Sequence, residues 1–274
     1  MNVLQVQDLS VETGDGSKVV SHVSFSVAPG ERLGLIGESG SGKSMTALAV
    51  MGLLPSELEA SGSLLLGNGM DAPKQILGAN EKELNQIRGT VASIVFQEPL
   101  TALDPLMKIG RQLSEPLRRW HGLSGDLLNK AIISALSEVA INNPERIAAS
   151  NPYEISGGER QRAAIAMALA SEPSLLIADE PSTALDVTVQ AEILALLDAV
   201  VAKRGMSLLF ISHDLAVVSR ITDHVLVMKD GAVVESGSLR DVLRSPQHPY
   251  TRDLVASAKE LDNALDIAKK GAGN

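Results

Sequence analysis

One stretch restricts the fold of this chain more than any other: Gly37-Glu38-Ser39-Gly40-Ser41-Gly42-Lys43-Ser44. It fits the pattern G-x-x-x-x-G-K-[ST], and a physical requirement comes with the pattern. Its glycines let the backbone curl until successive N–H groups face inward and form a concave cradle for an anion. Lys43 adds a mobile positive charge for β- and γ-phosphates, and Ser44 offers a hydroxyl to Mg²⁺. The setting such a loop needs is strand, loop, helix, because the helix N-terminus adds partial positive charge of its own. Both flanks comply. Arg32-Leu33-Gly34-Leu35-Ile36 reads as a short buried strand, and Met45 to Met51 as a helix with no breaker.

The rest of the chain supplies a sheet for this loop to sit on. Residues 2–11 alternate apolar and polar side chains and read as an edge strand, with a second strand over Val19 to Val27. Leu53-Leu54-Pro55 is expected to stop the helix after the loop. Ser61 to Leu66 is a strand candidate, residues 67–80 read as loop, and Val91 to Phe96 is a buried strand. From about 100 to 155 the apolar spacing becomes helical, over Ile109 to Leu117 and Leu127 to Ile141, so this region is expected to be a helical insertion. A long helix over Glu159 to Ala170 follows, and then strands alternate with helices: Leu175 to Ala178, Thr188 to Val201, Ser207 to Ile211, Leu215 to Ile221. A hairpin over Val225 to Glu235 and short helices close the chain. Strand–helix alternation implies a mostly parallel sheet, hence an α/β fold.

In such sheets ligands sit outside the carboxyl ends of the strands. Four apolar strands here run into chemically useful groups: the glycine-rich loop, Gln97, Asp179-Glu180 and His213. Asp179 sits where a carboxylate faces Mg²⁺, directly or through water. Glu180 is the natural general base for an attacking water. The bland alternative is that both carboxylates cap the turn before Pro181. His213 either contacts a γ-phosphate, orients the water, or is a satisfied structural histidine. Gln97 can ligate Mg²⁺ or water. Ser156-Gly157-Gly158-Glu159 opens the long helix, and two glycines there let a phosphate approach closely, although Ser156 also reads as an ordinary cap. A second anion-binding helix start in a chain that already has one suggests a site completed by another protomer.

Composition removes several classes. With 45% hydrophobic and 21% charged residues the chain is expected to be globular, and with 2% aromatic residues its core must be aliphatic. A net charge of −9 argues against a nucleic-acid binder with a general basic surface. The absence of cysteine excludes disulfides, Cys-ligated zinc and iron–sulfur clusters in this sequence. No leader-like start and no apolar run near the roughly 18 residues of a membrane span are present, so a cytoplasmic location is expected.

At these residues the chain resembles the ATP-binding cassette (ABC) proteins. Gly37–Ser44 is similar to their Walker A loop and Gln97 to their Q-loop. Ile155-Ser156-Gly157-Gly158-Glu159 is similar to the LSGGQ signature, with Glu159 in place of the usual glutamine. Leu175–Asp179 with Glu180 resembles Walker B and the catalytic glutamate, Thr183-Ala184-Leu185-Asp186 the D-loop, and His213 the switch histidine. Three segments narrow the resemblance to the peptide/nickel importer group: Phe96 to Pro105, Ala178 to Gln190, and Pro246-Gln247-His248-Pro249-Tyr250-Thr251.

The resemblance implies a P-loop NTPase core, an N-terminal antiparallel β subdomain and an inserted α-helical subdomain, within an ATPase domain over residues 1–250 and a short helical tail over 251–274. It implies ATP and Mg²⁺ as cofactors, with Ser44, Gln97 and Asp179 toward the metal and Lys43, Gln97, Glu180 and His213 in catalysis. It also implies a head-to-tail dimer with a second ABC ATPase subunit, in which Ser156, Gly157, Gly158, Glu159 and Asp186 face the partner's nucleotide. Further partners would be transmembrane permease subunits, reached through the 100–155 region and the Gln97 loop, and indirectly an extracytoplasmic solute-binding protein. The location would be the cytoplasmic face of the membrane. The family usually stacks adenine on an aromatic residue of the N-terminal strand; Val11-Glu12-Thr13 offers none, and Phe25 lies too far along. The competing classes are a soluble ABC-type ATPase of DNA maintenance or translation, and a regulatory subunit with little turnover.

Overall fold

The computed structural model describes residues 1–181 and 186–258. The chain opens with strands β1 (Leu4–Thr13), β2 (Lys18–Val27) and β3 (Arg32–Ile36), then helix α1 (Lys43–Val50). Next come β4 (Leu58–Leu66), the short β5 (Lys74–Gln75), α2 (Glu81–Ile87) and β6 (Ala92–Val95). Helices α3 (Pro99–Ala102), α4 (Ile109–His121), α5 (Gly125–Glu138) and α6 (Pro144–Ala149) follow without an intervening strand. The remainder alternates: α7 (Gly157–Leu169), β7 (Leu175–Asp179), α8 (Val187–Arg204), β8 (Ser207–Ser212), α9 (Leu215–Val218), β9 (His224–Lys229), β10 (Ala232–Ser238) and α10 (Leu239–Arg244). Residues 249–258 are helical again.

The strands form two sheets. One has the order β2-β1-β4-β5 and is antiparallel; the other has the order β10-β9-β3-β8-β7-β6 and is parallel from β9 to β6, with β10 as an antiparallel edge. The central strands are apolar except at end positions such as Arg32, Asp179, Ser207 and Ser212, because both of their faces are covered. Along β8, Leu208 and Phe210 point into a core shared with α7 and α8, through residues such as Ile165 and Leu197. Leu209 and Ile211 point the other way, into a core shared with α1 and the antiparallel sheet. The large sheet is therefore the middle layer, with helices on one face and the antiparallel sheet and α1 on the other.

Several elements differ from the sequence reading. β1 is not an edge strand: it pairs with β2 on one side and β4 on the other. Alternation reports that one face is buried, which it is at Leu4, Val6, Leu9 and Val11, but it is silent about the number of strand neighbours. Helix α1 ends before Leu53-Leu54-Pro55, since Gly52 in the left-handed region (φ 62°) already terminates it. The stretch read as loop contains β5, and α2 had no counterpart in the reading. A capping box marks the start of α2: Glu83 N–H donates to Asn80 Oδ1 and Asn80 N–H to the Glu83 carboxylate, both at 3.1 Å. Helix α9 stops at Val218, three residues earlier than expected.

An ion-paired tether joins the α3–α6 region to the layered core. Arg204, the last residue of α8, donates to Glu138 at the end of α5 and, at 2.8 Å, to the Leu169 carbonyl of α7. Lys203 adds a bond of 3.3 Å to the same carboxylate. The Arg204 guanidinium holds the Glu138 carboxyl below the usual range, against the opposing effect of burial. A depressed folded-state pKa stabilises the fold fully above the unfolded value of about 4.3, and that contribution is lost as pH falls through the folded value. Glu138→Gln is therefore expected to cost about 1 kcal/mol at neutral pH. In urea titrations the difference from the parent chain should shrink as the pH is taken below about 4.

Candidate functional site

The loop between β3 and α1 is shaped by contacts that only glycine allows. A Cβ on Gly37 would lie 2.2 Å from the Met228 carbonyl oxygen and 2.7 Å from Ser41 Oγ. Gly42, the N-cap of α1, has φ 97°, and a Cβ there would lie 2.7 Å from the Val19 carbonyl oxygen. No side chain caps α1, so no side-chain cap competes for its first N–H groups, as an anion site would require. Lys43 is the first residue of that helix and only 4% exposed. Its Nζ donates to the carbonyls of Gly37 (2.8 Å) and Glu38 (2.7 Å) and to Ser41 Oγ (3.4 Å). Burial pushes the Lys43 pKa down, and the carboxylates of Glu180, Asp179 and Glu38 oppose that shift.

Strands β3, β6, β7 and β8 run in one direction, so the chemistry at their ends opens on one edge. Ser44 Oγ lies 3.2 Å from Asp179 Oδ1, where the hydroxyl donates. Burial raises the Asp179 pKa; the Ser44 hydroxyl and Lys43 pull it down, and Glu180 adds to the rise. Glu180 N–H donates to the Ile211 carbonyl at 2.9 Å, and Glu180 Oε1 lies 3.0 Å from His213 Nδ1. Glu180 also adopts a left-handed backbone, φ 47°, which is uncommon for a residue with a Cβ. Such strain clusters where geometry is dictated by function rather than by folding. A cleft of about 610 Å³ has walls from the loop, Gln97, Glu180 and His213. The loop, Gln97, Glu180 and His213, read from separate strand ends, thus meet in one cavity, and Asp179 adjoins it through Ser44 without lining it.

Ser156, Gly157, Gly158, Glu159 and Asp186 are not part of that cavity. They line a separate cleft of about 650 Å³. Within the chain the α7 start is satisfied by a capping box: Glu159 N–H donates to Ser156 Oγ at 3.3 Å, and the Glu159 carboxylate accepts from Ser156 N–H at 2.8 Å. Arg146 also pairs with Glu159. Burial pushes the Glu159 carboxyl up, but the Ser156 and Arg146 donors hold it below the usual range. Asp186 caps α8 by accepting from the N–H groups of Thr188 (3.1 Å) and Val189 (3.0 Å). Thr183, Ala184 and Leu185 lie outside the described residues, as do residues 259–274 of the expected tail.

One contact escaped the sequence reading. Glu38 N–H donates to Tyr250 Oη at 2.8 Å, across 212 positions of chain. The segment Pro246–Thr251 stood out by resemblance, but no spacing tied it to the loop.

A helix start held open behind a glycine cradle, at the carboxyl edge of a parallel sheet, defines a nucleotide-binding protein of the P-loop class. A family model described as ABC transporter matches residues 20–183. The chain belongs to that family. It is 46% identical over 260 residues to the peptidoglycan transport ATP-binding protein YejF of Agrobacterium fabrum, covering 93% of this chain and 47% of that relative. It thus spans about half of that relative's length. It is 41% identical over 265 residues to the oligopeptide transport ATP-binding protein OppD of Bacillus subtilis, covering 96% of this chain and 73% of the relative. Among solved structures, the dimeric post-hydrolysis ATP-binding cassette MJ0796 bound to ADP and Pi is similar at a TM-score of 0.74 and 27% identity, covering 86% of this chain and 99% of that one. CbiO1 from Clostridium perfringens, part of the ABC transporter complex cbiONQ, is similar at a TM-score of 0.75 and 28% identity, covering 89% and 91%.

Proposed function

We propose that the chain binds and hydrolyses ATP to power a membrane importer of peptides or related small solutes, a class that includes nickel, opines and metallophores. The observation that carries this reading is the convergence of the loop, Gln97, Glu180 and His213 on one cleft. The loop N–H groups and Lys43 hold the phosphates, with Gly37, Glu38, Ser39, Gly40, Ser41, Gly42 and Ser44 shaping the cradle. Glu180 takes a proton from a water whose oxygen bonds to the γ-phosphorus as the bond to the β–γ bridging oxygen breaks, leaving ADP and phosphate. His213, already beside Glu180, fixes its orientation. Ser44, Gln97 and Asp179 offer hydroxyl, amide and carboxylate oxygens, a donor set that suits Mg²⁺. When bound, the ion supplies positive charge to the phosphate oxygens.

The separate Ser156–Glu159 cleft, with Asp186 on its wall, fits a nucleotide presented by a second cassette, as in a head-to-tail dimer. No helix among the described residues is long and apolar enough to cross a membrane. Anchoring at the cytoplasmic face would fall to transmembrane permease subunits, docked on the 100–155 helical region and the Gln97 segment, with an extracytoplasmic solute-binding protein upstream. Residues 1–250 act as the ATPase domain and 251–274 as its tail. The names of the relatives favour import over the soluble alternative: OppD and its Bacillus counterpart DppD are oligopeptide and dipeptide transport ATP-binding proteins. Affinity capture from detergent-solubilised membranes is the direct check. Integral-membrane subunits are expected to accompany the chain; ribosomes or DNA in their place would point to the soluble ATPase.

A further inference from the structure

We propose that the nucleotide's base rests on an apolar wall to which the C-terminal helix contributes, with Leu254 as its recognition residue. The inference deepens the nucleotide-binding reading and rests on it. Phosphates occupy the loop, and the γ-phosphate points toward Glu180 and His213, so the base takes the remaining part of the cleft. Apart from the loop and the strand-end groups, the cleft is lined by Val19, Met45 and Leu254. All three are apolar, and none of the described residues lining the cleft is Phe, Tyr or Trp. Aliphatic side chains bind a purine by burying its faces, without reading its hydrogen-bonding edge.

The helix that carries Leu254 is fixed to the loop rather than laid loosely against it. Tyr250, one turn before Leu254, accepts the Glu38 N–H at 2.8 Å and is 7% exposed. The Lys229 ammonium sits 5.1 Å from the centre of its ring. Ahead of the helix, the Gln247 and His248 N–H groups donate to the Glu235 carboxylate of β10, each at 2.9 Å. Thr251 and Val255 are buried. The turn after Lys229 also reaches the strand that carries Val19, since the Gly231 carbonyl accepts the Ser21 N–H at 2.8 Å. The β9–β10 hairpin therefore holds Val19 and Leu254 in one frame around the loop.

The test is equilibrium binding of ATP, GTP and inorganic tripolyphosphate, which lacks a base, to the full chain and to Leu254→Ala and Leu254→Trp. Leu254→Ala is expected to weaken ATP and GTP about 3- to 10-fold, the loss of a partly buried aliphatic contact, and to leave tripolyphosphate unchanged. Leu254→Trp, which adds a stacking face, should tighten both nucleotides several-fold against an unchanged tripolyphosphate. In the parent chain ATP and GTP should differ by less than about 5-fold, because burial alone discriminates weakly. Nucleotide affinities that follow tripolyphosphate in both variants, or do not move, overturn the proposal. If Leu254→Ala fails to fold, Leu254→Trp decides it. Failure of the parent chain to bind any of the three ligands would instead sink the nucleotide-binding reading itself.

Discussion

Replacement of Lys43 by alanine is expected to weaken ATP binding by at least about 100-fold, the scale of losing charge-assisted hydrogen bonds worth ~3 kcal/mol. The geometry gives the lysine two tasks that alanine can perform in neither state. Without a ligand, its ammonium closes the loop on itself by donating to the Gly37 and Glu38 carbonyls. With a phosphate present, the same buried charge is the cation nearest the helix start, in a setting where desolvation strengthens attraction to an anion. Burial already lowers its pKa, so the charged form gains more from an incoming polyphosphate than an exposed lysine would. Isothermal titration with ATP measures the loss directly. An unchanged affinity would remove the loop from the nucleotide site.

The second large effect is expected from Glu180→Gln. Turnover should fall at least about 100- to 1000-fold, the contribution of a positioned general base, while ATP affinity stays within a few-fold of the parent. Glutamine keeps the length and hydrogen-bonding reach of the side chain beside His213 but cannot accept a proton from water. The backbone bond from residue 180 to Ile211 is untouched by the change. Phosphate release and nucleotide titration on one preparation separate the two quantities, and size-exclusion chromatography with ATP should show a retained dimer. Undiminished phosphate release would take the base assignment away from Glu180.

What the sequence disclosed, it disclosed through local pattern. The loop needs glycine, lysine and serine at fixed offsets, and the strands that deliver Gln97, Asp179 and His213 are short apolar runs that end abruptly in polar residues. Parallel topology then follows from strand–helix alternation, which is why the meeting of these groups was foreseeable. Pairings between distant segments were not. Alternation in β1 shows a buried face, yet nothing in it marks β4 as a second neighbour. The Arg204–Glu138 tether and the Tyr250–Glu38 bond join residues 66 and 212 positions apart, and neither leaves a periodic trace. Helix α2 was legible in principle: Asn80 and Glu83 stand at capping-box spacing, ahead of Leu84 and Ile87.

Glu180 has a consequence for anyone who engineers this chain. Its left-handed backbone costs on the order of 1 kcal/mol with a Cβ present, and glycine alone escapes that cost. Glycine adds freedom to the unfolded chain, a penalty of about 0.5–1 kcal/mol, so for the backbone the exchange comes out near neutral, and the contact with His213 is what glycine gives up. A library screened only for yield or melting temperature would therefore put little pressure on the backbone preference at position 180, and the expected loss of hydrolysis would go unseen in such a screen. Directed evolution of this chain calls for an activity filter at the strand end, because a stability screen does not read the proton transfer proposed for this carboxylate.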